Sequence, residues 1–288
     1  MTKLSFADHF FNVNTAVMLK PLLKFIPNQA LLRGMLELGA RALYRPLRGC
    51  RISWTKVAGV KTLRIVPPGV AKTAPTLLYF HGGGFTTGSP ITHRWMAARL
   101  AEQAGMVVYL PKYALAPEGP FSAGHDDAEA VFDALAETGP VCVGGDSAGG
   151  QLAAALIASG KPVKAAALIS PLVTVRAMAD DPEADFSRER IISQSWTRRV
   201  AIAFDIQDES DPRLSPLDHL PDTPCPIIVH YVEEELLAPD ARALLAAVPF
   251  SVGNAVTGVP HVYQLHAGWS ALADRSVAEM GAFLKAAE

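Results

Sequence analysis

The sequence predicts an α/β fold: a mostly parallel, eight-stranded sheet covered by helices, with a further helical cap. Three observations lead there. Short β-type runs alternate with helical stretches through most of the chain, and such alternation implies right-handed crossovers. Several runs, such as Leu77-Leu78-Tyr79-Phe80, are apolar throughout, as strands buried on both faces are. The first 46 residues carry no strand pattern.

Taken in order, residues 1–46 place Leu22, Leu23, Phe25, Ile26, Leu31, Leu32, Met35, Leu36 and Leu43 near helical spacing, broken by Pro21 and Pro27. They read as two or three cap helices. From Arg51 the texture changes. Strands are expected at Arg51–Val57, Lys61–Val66, Thr76–Phe80, Met106–Leu110, Val141–Gly144, Ala165–Ile169 and Ile227–Tyr231, with a weaker one near Ser251–Thr257. The first two are close enough to form a hairpin. Helices are expected at His93–Ala104, Asp126–Glu137, Ala148–Ser159, Ala238–Ala247 and Trp269–Ala287, with Asp126 and Asp127 capping the second of these. Between Val173 and Pro212 the alternation breaks and Ser193 to Phe204 reads as an amphipathic helix. The division expected is cap helices over 1–46 and a catalytic domain over 47–288, with a cap insertion at about 176–212.

Composition narrows the function. The 288 residues are 50% hydrophobic and 19% charged with a net charge of −2, as in a globular protein. No Lys/Arg-rich stretch suggests nucleic acid. The three cysteines have neither metal-ligand nor disulfide spacing, which fits a reducing compartment. No uninterrupted run of about 18 apolar residues occurs, and the N-terminus lacks the order of a signal peptide. A cytoplasmic protein without stable membrane insertion is expected, and a homodimer is left open.

The chemistry lies in two glycine-rich stretches and a late histidine. Val141-Cys142-Val143-Gly144-Gly145-Asp146-Ser147-Ala148-Gly149-Gly150 is an apolar strand entering Gly-x-Ser-x-Gly and then an alanine-rich helix. A sharp strand-to-helix turn of this kind projects a serine hydroxyl at a helix N-terminus, where the dipole favours developing negative charge. His81-Gly82-Gly83-Gly84-Phe85 follows a buried run directly. Its backbone N–H groups, from Gly82 and Gly83, would join that of Ala148 around a substrate oxyanion. A phosphate loop would need a Gly-Lys-Ser/Thr ending, which is missing. A base should follow the last strand: His261 stands in a turn-rich loop there, with His266 the second candidate. The acid should follow the Ile227–Tyr231 strand, where Glu233, Glu234 and Glu235 are adjacent, with Asp240 further on. Phe85, Tyr113 and Asp146 are candidate substrate contacts.

These stretches resemble the hormone-sensitive-lipase-like family of bacterial carboxylesterases, of the α/β-hydrolase fold, over nearly the whole chain. The resemblance rests on His81-Gly82-Gly83-Gly84, Tyr113-Ala114-Leu115-Ala116-Pro117-Glu118, Gly145-Asp146-Ser147-Ala148-Gly149-Gly150, Asp211-Pro212-Arg213-Leu214-Ser215-Pro216-Leu217 and Pro260-His261-Val262, in that order. It implies a cofactor-free, metal-free serine esterase acting on small, short-acyl esters through an acyl-enzyme. Ser147, His261 and Glu233 would form its triad, although the family usually has aspartate at the third position. Lactone or amide cleavage would use the same triad. A non-catalytic binder of hydrophobic ligands would more naturally lack the serine or the histidine.

Overall fold

The computed structural model describes residues 4–175, 185–204, 206, 208–220 and 224–287. Eight strands form one sheet in the order β1-β2-β4-β3-β5-β6-β7-β8. They are β1 (Arg51–Val57), β2 (Val60–Val66), β3 (Thr76–Phe80), β4 (Val107–Pro111), β5 (Val141–Asp146), β6 (Val163–Ile169), β7 (Ile227–Val232) and β8 (Ser251–Val256). β1 and β2 form the expected hairpin, turning at Ala58 and Gly59, both at positive φ as a tight two-residue connection requires. β2 is also antiparallel to β4, and every later pairing is parallel.

Side chains alternate across the strands into two apolar layers. Leu78, Phe80, Val143, Leu168 and Val229 face α5 (Phe121–Ala136), α6 (Ala148–Ala158) and α8 (Ala238–Ala247). Leu77, Tyr79, Cys142, Ala167 and Ile228 face α4 (Pro90–Ala104) and α9 (Ala271–Ala286). Fully burying one such large side chain contributes roughly 1.5–3 kcal/mol. A sheet covered on both faces is therefore the stable arrangement for these runs.

Two helices begin earlier than their sequence pattern suggests. Proline supplies the reason. Pro90 follows Ser89, whose side chain accepts from Ile91 and Thr92, so α4 starts three residues before His93. α5 starts at Phe121 after Pro120, which leaves Asp126 and Asp127 inside the helix rather than capping it. Asp127 instead accepts from the Ala114 N–H at 2.8 Å, and Asp126 pairs with Arg213 at 2.7 Å.

The N-terminal residues form α1 (Phe6–Asn14), a π-helical turn (Thr15–Leu19), α2 (Lys20–Phe25) and α3 (Gln29–Leu43). Ser5 and Asp8 close a reciprocal cap at the start of α1. α7 (Gln194–Ala203) lies against α2. Arg199 donates to the Lys24 carbonyl at 3.0 Å and to that of Leu23, while Lys20 Nζ donates to the Glu189 carbonyl at 2.6 Å. Residues 176–184 of the expected insertion lie outside the described residues. Among the described residues no helix is long and apolar enough to cross a membrane.

Candidate active site

β5 ends at Asp146 and α6 begins at Ala148, so Ser147 alone makes the turn. It sits at φ 52° and ψ −121°, a conformation that costs a non-glycine residue on the order of 1–3 kcal/mol. The surroundings hold it there. Its N–H donates to the Ile169 carbonyl at 2.9 Å, and its own carbonyl accepts from Leu172 at 3.1 Å. A Cβ at Gly145 would strike the Gly149 backbone, and one at Gly149 would strike the Phe80 carbonyl, so the turn closes only with glycine on either side.

The glycine-rich loop after β3 is fastened to this turn by Asp146. Oδ2 of Asp146 accepts from the Gly82 N–H at 3.0 Å and from His93 Nε2 at 3.1 Å, and Oδ1 accepts from the Tyr79 hydroxyl at 3.0 Å. Burial alone would raise this carboxyl. The His93 charge and the hydrogen bonds from His93 and Tyr79 outweigh it and hold the pKa below the usual carboxylate range. The Gly82 N–H is therefore already engaged, which corrects its expected place as a free donor to substrate. Gly83 at φ 122° and Gly84 at φ 57° follow, and neither N–H has an acceptor among the described residues. The Ala148 N–H, in the first turn of α6, is unpaired within the helix by position.

The glutamate that meets the histidine stands two residues after the one the resemblance implies. Glu233 still belongs to the sheet edge: its N–H donates to the Val256 carbonyl at 2.9 Å, extending the β7–β8 ladder. Its carboxylate turns outward, accepting from Tyr231 at 3.1 Å and from Arg242 at 2.9 Å. Glu234 accepts from the Gly258 N–H at 3.2 Å. Glu235 closes the turn and folds back into the protein. Its carboxylate accepts from His261 Nδ1 at 2.8 Å, Ser170 Oγ at 2.9 Å and the Val232 N–H at 3.2 Å. Glu235, not Glu233, thus stands against the histidine. Asp240 instead accepts from the Val173 N–H at 2.7 Å.

His261 is buried on the loop after β8, where Val262 at φ 54° turns the chain. An ionised carboxylate only accepts, so Nδ1 carries the proton and, in the neutral imidazole, Nε2 is left as the acceptor. Burial, the largest single influence, pushes the imidazole pKa down. The charge and hydrogen bond of Glu235, helped by Glu189 and Asp146, outweigh it and leave the pKa above its ordinary value. His266 stacks on Phe11 at 3.9 Å, and burial pushes it down to about 3.

Ser147, His261, Gly82, Gly83 and Asp146 all border one cavity of about 130 Å³. Among the described residues no hydrogen bond joins the Ser147 hydroxyl to His261, a contact that often tightens only with substrate bound. Leu19, Leu23, Leu36, Tyr44 and Trp196, from the N-terminal helices and α7, supply its apolar wall. Two expected substrate contacts lie elsewhere. Phe85 is buried among Phe121, Phe204 and His125, with ring centroids 5.3–5.9 Å away. Tyr113 stacks on His81 at 4.4 Å and donates to its carbonyl at 2.6 Å. Both brace the loop from behind.

Sequence reasoning passed over Gly84, Ser170, Glu189 and Trp196. Gly84 was in plain view beside Gly83. Glu189 carries no local signal, since its carboxylate reaches across the fold to the Leu236 N–H at 2.7 Å.

Comparison with known proteins bears on the fold and the family. A family model described as the α/β-hydrolase fold matches residues 77–269. An acetyl-hydrolase of Streptomyces hygroscopicus is 34% identical over 231 residues, covering 74% of this chain and 76% of that protein. A carboxylesterase/phospholipase, LipF, of Mycobacterium tuberculosis is 26% identical over 278 residues, covering 88% and 73%. A crystal structure of an esterase from the bacterial hormone-sensitive lipase family superposes with a TM-score of 0.87 at 27% identity, covering 99% of each chain. With the serine turn, the glycine-rich loop and His261 on one cavity, and that histidine paired with buried Glu235, the chain belongs to the α/β-hydrolase fold family, as a carboxylesterase-type hydrolase of the hormone-sensitive-lipase-like group.

Proposed function

We propose that the protein hydrolyses small, short-acyl carboxylic esters through an acyl-enzyme on Ser147, with His261 as base and Glu235 as the acid that orients it. The 2.8 Å pairing of His261 Nδ1 with buried Glu235, on the cavity that Ser147 borders, is the observation that carries this reading. Ser147 Oγ attacks the ester carbonyl carbon as His261 Nε2 takes its proton. The carbonyl π electrons move onto oxygen, and the N–H groups of Gly83, Gly84 and Ala148 receive that oxyanion, each donor worth about 3 kcal/mol. The intermediate collapses, the C–O bond to the alcohol breaks, and His261 returns the proton to the leaving oxygen. Water then attacks the acyl-serine with the same proton transfers, releasing the acid and restoring Ser147.

Short acyl chains are favoured by the cavity volume of about 130 Å³, well under the roughly 300–1,000 Å³ of sites for drug-sized ligands. The relative named an acetyl-hydrolase points the same way. The helices of residues 1–46, with α7, act as the cap that walls the acyl pocket.

Ser147→Ala should abolish hydrolysis of p-nitrophenyl acetate and butyrate while leaving the circular dichroism spectrum unchanged. An organophosphate should label the wild-type protein once, at Ser147. Labelling at another serine, or activity in the variant, would reject the assignment. Rates that rise steadily with acyl length would reject the short-acyl preference alone.

A further inference from the structure

The N-terminal helices are apolar on both sides. Their inner face gives Phe11 and Leu32 to the core and Leu19, Leu23 and Leu36 to the cavity wall. The outer face exposes Phe6, Phe10, Val13 and Val17, spaced as one stripe along the helix, together with Met18 and Phe25. On α3, Leu31, Met35 and Leu38 form a second exposed stripe. These nine residues outnumber all other large hydrophobic side chains exposed among the described residues, and they fall within the first 38 positions. A helix that is apolar all round is ordinarily buried or in contact with lipid.

Charge says what covers it. Residues 1–46, which carry both stripes, hold six Lys and Arg against two Asp and Glu, in a chain of net charge −2. One of those two acids, Asp8, is buried. The segment that bears the apolar stripes is thus cationic in a chain that is anionic overall. Lys24 follows the first stripe, with Nζ 5.1 Å from the Phe25 ring, and Arg198 is exposed on neighbouring α7. Two copies meeting through this face would bring like charges together, because a two-fold interface repeats the same patch on both sides. An anionic partner has no such penalty.

We propose that this outer face docks peripherally on an anionic phospholipid bilayer. Phe6, Phe10, Val13 and Val17 enter the headgroup boundary, and Lys24, Arg41 and Arg198 meet the negative surface. The docking face is separate from Ser147 and His261, so the proposal stands apart from the triad assignment.

Sedimentation of the full chain with phosphatidylcholine vesicles, with and without added phosphatidylglycerol, tests it. The protein should pellet with the mixed vesicles at least about tenfold more strongly than with the neutral ones, and release as ionic strength rises. Two variants, Phe6→Ser/Val13→Ser/Val17→Ser and Lys24→Glu/Arg198→Glu, should each weaken binding about tenfold or more. Both change exposed side chains away from the cavity, so both should hydrolyse a soluble short ester at the wild-type rate. Absence of binding, or equal binding to neutral vesicles, would overturn the proposal. So would a dimer in sedimentation velocity that the serine variant dissociates while vesicles bind neither form, which would assign the face to a second copy.

Discussion

Glu235 reaches His261 because the chain turns back on itself after β7. The Glu235 N–H closes on the Val232 carbonyl at 3.2 Å, and its side chain then covers the Val232 N–H. Ser170, itself at φ 46°, fixes the carboxylate from the other side. Removing the charge should therefore matter here and not two residues earlier. Glu235→Gln should lower kcat by roughly 10³ to 10⁴, since the imidazole loses the acceptor that sets its tautomer. Glu233→Gln should cost less than about tenfold, because it loses only an exposed contact to Arg242. The same pair sets the pH profile. Only neutral His261 can accept the serine proton, so kcat/KM rises as pH passes through its pKa. Glu235 holds that pKa above 6.5, so the acid limb should have its midpoint there or higher, and Glu235→Gln should move it down. A large kcat loss at Glu233 with none at Glu235 would reverse the assignment.

At the scale of elements, one buried carboxylate ties the roof to the catalytic loop. Glu189 precedes α7; its Oε1 accepts from Ile191 and Ile192, its Oε2 from Leu236, and its carbonyl from Lys20. The Leu236 N–H is the next donor along from Glu235. Glu189→Gln puts an amide NH₂ against one of these N–H groups, and a buried donor left unpaired costs about 1–3 kcal/mol. It should lower kcat up to about tenfold. It should also lower the acid-limb midpoint, because the Glu189 charge helps to raise His261. An unshifted midpoint with normal kcat would leave Glu189 a purely structural role. Such long-range ties show where sequence reading stops. Buried apolar runs and the glycine spacing made the sheet, the serine turn and His261 legible. α4 and α5 start earlier than their apolar pattern because Pro90 and Pro120 open them, and neither proline adds to a helical period. Glu233, Glu234 and Glu235 could not be told apart in the sequence because where a strand stops pairing depends on its neighbour: β8 carries the ladder on to Glu233. The donor pair after His81 was misread because only the fold brings Asp146 under Gly82.

For the molecule as a whole, the buried histidines set an acid limit. Burial pushes His81 and His266 down to about 3, and His125 and His230 down to about 4. These groups stay neutral in the fold and take up protons near pH 6.5 when the chain unfolds. The unfolded state therefore binds more protons below that pH, and stability falls as pH falls. At pH 5 each such group costs roughly 2 kcal/mol, so four together rival the about 5–15 kcal/mol net stability of a domain. His261 has the opposite sign: its raised pKa stabilises the fold below pH 6.5 and that contribution fades as pH rises through its folded value, but it is one group against four. The urea midpoint should be flat near neutrality and drop steeply between about pH 6.5 and 5. Equal midpoints at pH 7 and pH 5 would contradict this. The roof of the cavity has a consequence of another kind. Trp196 lines it with its indole Nε1 unpartnered among the described residues, whereas Trp54 and Trp269 stand in solvent. A molecule entering the cavity should change the polarity around that indole and with it the Trp196 share of the emission, over a background from Trp54, Trp95 and Trp269. The protein thus carries its own optical gauge for inhibitors and unreactive alcohols, ligands that release no chromophore.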